Sequence, residues 1–307
     1  MQLIFYDTPH YLQSILDNGS LNSSLRVFDE PLIVWNLKLI DSINKIDKIL
    51  ISEKNSETFQ LIKENFPSTE VNYLTEETPD YSGNLENAPK NIDLSNLDKL
   101  ELSINSAVFQ LKGTTNIVID VIKYPWDYLK IIQEIMNNHI FESKISSTAI
   151  IPKTTILNGP CIIEDGVEIE EFCKIKGPIF IGKNSFIGMG SLVRNCMLGA
   201  NTSIGFNCEI AKCFFSGQAD IAHHNVILDS VIGRNVWFGG YSGTANVLLT
   251  KKNVKFQIDD NLIDTGVNHF GAVVGNNSAV GAAVIILPGR QIQSDSVIQA
   301  GTILGKK

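Results

Sequence analysis

An aliphatic residue recurs every six positions at Ile163, Ile169, Ile175, Ile181, Ile187 and Val193, and this period excludes more folds than any other feature of the chain. The phase slips by one residue and resumes at Leu198, Ile204 and Ile210, again at Ile232 and Phe238, and finally at Val274, Val280, Ile286, Ile292, Ile298 and Leu304. An amphipathic helix repeats at 3.6 residues and a half-buried strand at two, so neither fits a period of six. A solenoid does. Each hexapeptide supplies a short strand and a corner, the aliphatic side chain points inward, and three sides close a coil. The small or polar residues that follow the aliphatic one, as in IGKNS, LGANTS, IGFNC and VGNNS, suit tight corners. Residues 145–307 are therefore expected to form a parallel β-helix of hexapeptide repeats. The phase is lost between Asn246 and Phe270 and then returns, so 247–270 reads as a loop inserted into the repeat. Loops of that length in a compact domain are usually functional.

Ahead of the repeat the pattern changes. Residues 3–7, 48–52, 70–74 and 117–122 read as strands, and 56–66 and 125–138 as helices. Their alternation predicts an α/β domain over 1–124, joined by a linking helix, 125–144, to the β-helix. Residues 75–98, rich in Asn, Glu, Pro and Ser, read as a loop.

The formal charge of −8 and pI near 5.2 argue against a nucleic-acid partner, which needs a basic face. No apolar run approaches the ~18 residues of a membrane span. The first residues, MQLIFYDTPH, carry no basic leader and read as a strand, so a cytoplasmic location is expected. The five cysteines, 161, 173, 196, 208 and 213, form no C-x-x-C pair and predict reduced, small, apolar packers in place of a disulfide framework or zinc knuckle.

The order of these parts, with YPWDYL leading into the repeat and EPLIVWNLKLI as an early strand and helix, resembles the bifunctional sugar-1-phosphate nucleotidyltransferase/amino-sugar-1-phosphate acetyltransferases, above all their archaeal-type members. The repeat itself resembles the left-handed β-helix of the hexapeptide acyltransferases. The left hand is implied by that resemblance, since crossovers between parallel strands are normally right-handed. Nucleotidyltransferases of the family follow their first strand with a G-x-G-T-R loop that holds phosphates on backbone N–H groups. Here TPHYLQSIL stands there, and the domain is short. The resemblance thus implies a reduced, nucleotidyltransferase-like scaffold, with an altered nucleotide site as the alternative.

The segment IAHHNVILDSVIGRNVWFGGYSGTANV resembles the family's acetyltransferase active-site stretch. That match puts His223 at the general-base position, Asp229 and Ser230 on an Asp-Ser pair, and Asn246 on a functional Asn. Arg194 and Glu209 fall near the family's sugar-phosphate Arg and substrate-contacting Glu, and Lys212 and Lys252 near phosphate-contacting lysines. His224 reads as structural. An imidazole suits the removal of a proton from an attacking amine, and Arg and Lys suit a phosphate. Two positions depart from the pattern: Val226 replaces a sugar-contacting Tyr and Trp237 an Asn. The histidines of the repeat, 223, 224 and 269, lack the H-x4-H spacing of the superfamily's zinc carbonic anhydrases, so no metal is expected. The resemblance implies an acetyl-CoA-dependent N-acetyltransferase acting as a homotrimer on a hexosamine 1-phosphate or related amino-sugar phosphate. A catalytically silent paralogue that binds a sugar nucleotide or scaffolds an active partner is the second reading, and a sugar-1-phosphate nucleotidyltransferase the third. No residue for CoA is identifiable from the sequence.

Overall fold

The computed structural model describes residues 1–6, 26–51, 56–73, 91–95, 97, 99–103, 107–112, 114–258 and 260–305. TPHYLQSIL and most of the expected loop 75–98 lie outside the described residues. The chain divides into two compact units, one ending at Asp127 and the other beginning its main body at Tyr128.

In the first unit, four parallel strands lie in the order Glu70–Tyr73, Lys48–Ile51, Gln2–Tyr6, Lys99–Ser103. The helices Leu32–Ile43 and Ser56–Asn65 contribute Val34, Leu37, Ile40, Phe59 and Ile62 to a core shared with Ile49 and Val71. These apolar positions recur three or four apart on each helix, which gathers them on one face. The α/β character expected from the alternation is present. The fourth expected strand belongs to a different sheet: Asn116–Val121 pairs antiparallel with Ala107–Lys112 and Asn91–Asp93. Buried Asn36 ties helix to hairpin by accepting the Phe109 N–H at 3.0 Å.

The second unit is the expected parallel β-helix, three parallel sheets wound from one continuous chain. Sheet I runs from Lys144–Ile145 to Arg290–Ile292, sheet II from Glu168–Ile169 to Val297–Ile298, and sheet III from Ile156–Asn158 to Ile303–Leu304. A coil visits them in that order. The six-residue phase is the inward row: Ile163, Ile169, Ile175, Ile181, Ile187 and Val193 are each 1% exposed or less, as are Leu198, Ile204, Ile210, Ile232, Phe238, Val274, Val280 and Ile286. The row also contains a coil that the periodicity missed, Phe215, Ile221 and Ile227. Its phase is hidden because the third side loses a residue more than once. Early coils advance 18 residues, as between Thr148 and Gly166. Phe180 pairs with Met197, Met197 with Phe214 and Phe214 with Val231, each a coil of 17 like that from Ser185 to Thr202. The shortened corners carry Asn195, Lys212 and Asp229 at positive φ, 53°, 53° and 43°.

A second inward-facing row lies two residues ahead of the aliphatic one and holds small side chains. All five cysteines sit there, buried and free, with Ser191, Asn225, Ser230 and Ser242 continuing the row. Burial raises the Cys173, Cys208 and Cys213 thiols above their ordinary values.

The outward row of sheet I is not solvated. Phe180, Met197, Phe214, Val231 and Val273 are at most 2% exposed. The helix Pro125–His139 lies against them: Tyr128 meets Phe214 edge-on at 4.9 Å and Gln133 Nε2 donates to the Asn195 carbonyl at 2.9 Å. Among the described residues no helix is long and apolar enough to cross a membrane.

The inserted loop leaves after Gly243–Thr244 in sheet III and returns at Ala272–Val274 in sheet I. It contains an antiparallel hairpin, Lys255–Ile258 with Asn261–Asp264, and its buried Phe256 meets Phe270 edge-on at 5.8 Å. Its two ends are joined by Phe270 N–H to Asn246 carbonyl, 2.9 Å, and Gly271 N–H to Asp229 carbonyl, 2.8 Å. The chain re-enters the prism through a close approach: a Cβ on Gly271 would lie 2.1 Å from the Leu228 carbonyl oxygen. Where the loop departs, the inward row turns polar, and Thr244 receives the Leu228 N–H and the Ser230 hydroxyl at 2.9 Å each.

Candidate active site

Sheet III and its two corners hold six of the seven predicted site residues. His223 occupies the corner between sheets II and III. Its backbone carbonyl receives the Tyr241 N–H of the next coil at 3.1 Å, and Asn225 Nδ2 also donates to it. The backbone is thereby fixed while the side chain stays exposed. Gly240 stands beside it on the following coil, where an added Cβ would come 3.5 Å from His223 Cδ2. Among the described residues the imidazole has no hydrogen-bond or salt-bridge partner. His224 is held more firmly. At φ 59° it donates its N–H to the Phe206 carbonyl, 2.9 Å, stacks on Tyr241 at 4.8 Å, meets Phe206 edge-on at 5.2 Å, and places Nδ1 3.1 Å from Asn207 Nδ2.

On the face of sheet III, Arg194 and Glu209 come together: Nη2 to Oε1 is 2.7 Å, with each side chain about one-third exposed. They project outward because each strand alternates, with Val193 and Ile210 turned inward. Register places Lys176 next to Arg194 and Val226 next to Glu209.

At the opposite corner, between sheets III and I, lie Lys212, Asp229 and Asn246. Lys212 is exposed and its backbone N–H bonds the Arg194 carbonyl at 3.0 Å. Asn246 Nδ2 donates to Asp229 Oδ2 at 2.5 Å, so this pair braces the root of the inserted loop. Ser230 is buried in the same brace, bonding Leu228, Thr244 and the Ala272 N–H. Lys252 is exposed within the loop, and among the described residues no contact joins it to the others.

The arrangement is thus a free imidazole at one edge of a face, an Arg–Glu pair on it, and a cation with an Asp–Asn brace at the far edge. A free imidazole can take a proton from a bound amine, and guanidinium and ammonium groups can hold an anion. The sequence missed the surroundings of His224. Asn207, His224 and Tyr241 are spaced by one 17-residue coil, like Asn207 and His224 themselves. A column can be read off once the coil length is known.

No protein-family model matches the chain. It is 26% identical over 301 residues to the bifunctional protein GlmU of Methanococcus vannielii, covering 89% of this chain and 71% of that protein. The GlmU of Methanococcus aeolicus is 32% identical over 182 residues, 59% of this chain and 43% of that one. The bifunctional sugar-1-phosphate nucleotidylyltransferase/acetyltransferase of Sulfurisphaera tokodaii is 25% identical over 225 residues, 68% and 55% of the two chains. The chain thus spans between 43% and 71% of the length of these relatives. By sequence the chain is a homologue of the archaeal bifunctional sugar-1-phosphate nucleotidyltransferase/acetyltransferases.

Proposed function

We propose that the protein is an acetyl-CoA-dependent N-acetyltransferase of a hexosamine 1-phosphate or related amino-sugar phosphate, with His223 as general base. The observation that carries this reading is an exposed, unpartnered imidazole at a rigid corner, flanking the face that bears Arg194 and Glu209. The neutral sugar amine attacks the thioester carbonyl and a C–N bond forms. His223 accepts the ammonium proton as the tetrahedral oxyanion develops. Collapse breaks the C–S bond, and the imidazolium returns the proton to the departing thiolate, leaving amide and free CoA. Glu209 and Asn246 act alongside the base. Glu209 holds Arg194, and Asn246 with Asp229 fixes the loop that carries Lys252. Arg194, Lys212 and Lys252 hold the acceptor's phosphate. The protein works as a homotrimer, and the first unit is a nucleotidyltransferase-like scaffold.

The test is thiol release from acetyl-CoA with a panel of amino-sugar phosphates. Acceptor-dependent release is expected, and its absence from the folded protein with every acceptor would refute the reading. Val226 and Trp237, both 44% exposed, favour a second reading in which the chain binds a sugar nucleotide or scaffolds a partner without turnover. That reading requires no release with any acceptor.

A further inference from the structure

The outward row of sheet III beside His223 is poor in groups that can satisfy hydroxyls, while the exposed polar residues Asp220, Asn207 and Tyr241 lie off that row. Between Leu192 and Ile285 the outward row of sheet III runs Leu192, Glu209, Val226, Gly243, Ile285 in direct register. Glu209 is the one polar side chain in that row, and its carboxylate is already held by Arg194 at 2.7 Å. Val226, three residues beyond His223, leaves 44% of its surface open. On the other flank, Trp237 is equally exposed and sits in register with Asp220 and Ala279 on sheet II. Along the corner itself, the His223 column continues to Phe206, 41% exposed, on one side and Gly240 on the other.

A fully hydroxylated pyranose laid against these groups would lose water from hydroxyls that gain no partner, which is unfavourable. A ring bearing hydrogen or methyl at those positions would instead cover apolar surface. We infer that the acceptor is a deoxy-amino sugar phosphate, in which at least one ring or exocyclic hydroxyl near the amine is absent, and that Val226 and Trp237 select it. This rests on the acetyltransferase reading and narrows its substrate class.

The experiment compares matched amino-sugar phosphates that differ in a single hydroxyl, such as glucosamine 1-phosphate and its 6-deoxy counterpart, with further pairs at the ring positions beside the amine. Thiol release from acetyl-CoA is measured with the full chain. The deoxy member of at least one pair should be favoured in kcat/KM by about 10²-fold, the discrimination an apolar pocket exerts against an added hydroxyl. Val226→Ser and Trp237→Asn should reduce that preference below about tenfold by improving use of the hydroxylated member. Equal or better use of the hydroxylated member in every pair overturns the inference while leaving the acetyltransferase reading intact. So does a preference that neither substitution alters. An absence of release with every acceptor of either kind refutes the acetyltransferase reading, and the selectivity falls with it.

Discussion

His223 and Lys212 show how corner residues divide between folding and function. His223 is anchored through its backbone, with the carbonyl held by Tyr241 and Asn225, so little of the fold depends on its ring. His223→Ala should lower kcat by about 10²–10⁴, the worth of a positioned acid–base group, while leaving Tm and acetyl-CoA binding unaltered. Full activity in that variant would place the base elsewhere. Lys212 occupies the left-handed region at φ 53°, where a side chain such as Lys is strained and Asn is not. Lys212→Asn should therefore raise stability by about 0.5–1 kcal/mol, yet raise KM for the phosphorylated acceptor with little change in kcat. A loss of stability would count against strain at this corner, and an unchanged KM against a phosphate role. The motif around His223 made these residues visible in the sequence. It could not show that Arg194 is engaged by Glu209, or that Asp229 and Asn246 form a brace, because both pairs arise from the stacking of successive coils.

The repeat was legible at the level of elements because one aliphatic side chain per side must point inward, and that demand stamps a period on the chain. Phe215, Ile221 and Ile227 escaped because the sides ending at Phe215 and Ile232 each have one residue fewer, so no constant phase spans them. They are as buried as the residues that were found. Phe215→Ala should cost about 3–5 kcal/mol, as for other large side chains removed from a packed interior, measurable by denaturant unfolding. Sheet membership in the first unit was less legible. Asn116–Val121 reads as apolar whether its partner is parallel or antiparallel. The cysteine row makes a further prediction. All five thiols are buried, so a thiol-specific reagent at neutral pH should modify none of them until the protein unfolds. Burial raises the Cys173, Cys208 and Cys213 values in the folded state. Their contribution is therefore fully present below the ordinary thiol pKa of about 8.5 and is lost as pH rises above it, since the unfolded chain then releases protons that the folded chain keeps. Stability that rises with pH through this range would contradict the burial.

At the scale of the whole molecule, the helix Pro125–His139 closes the outward face of sheet I, so the proposed trimer would form through sheets II and III. A contact between sheet II of one copy and sheet III of the next is head-to-tail and closes only as a ring. Sedimentation should show a trimer that His223→Ala preserves, and a monomer at micromolar concentration would remove any site shared between copies. The first unit should release no pyrophosphate from UTP or dTTP with a sugar 1-phosphate, and release above a mock-purified control would overturn the scaffold reading. The shortened sides carry a last consequence, for how the chain tolerates change. The prism behaves as a screw thread that counts residues, and its corners differ in whether they can absorb an error of one. The side from Ile175 to Ile181 accommodates a sixth residue through Gly177 and Pro178, whereas the side from Ile210 to Phe215 turns on Lys212 alone. One residue inserted beside Lys212 can therefore be taken up as a wider corner. The same insertion inside the strand Val226–Leu228 would rotate Ile227 out of the interior and bring Val226 or Leu228 in. The thread thus has permitted and forbidden places for drift in length, and the permitted ones lie along the edge that carries Asn195, Lys212 and Asp229.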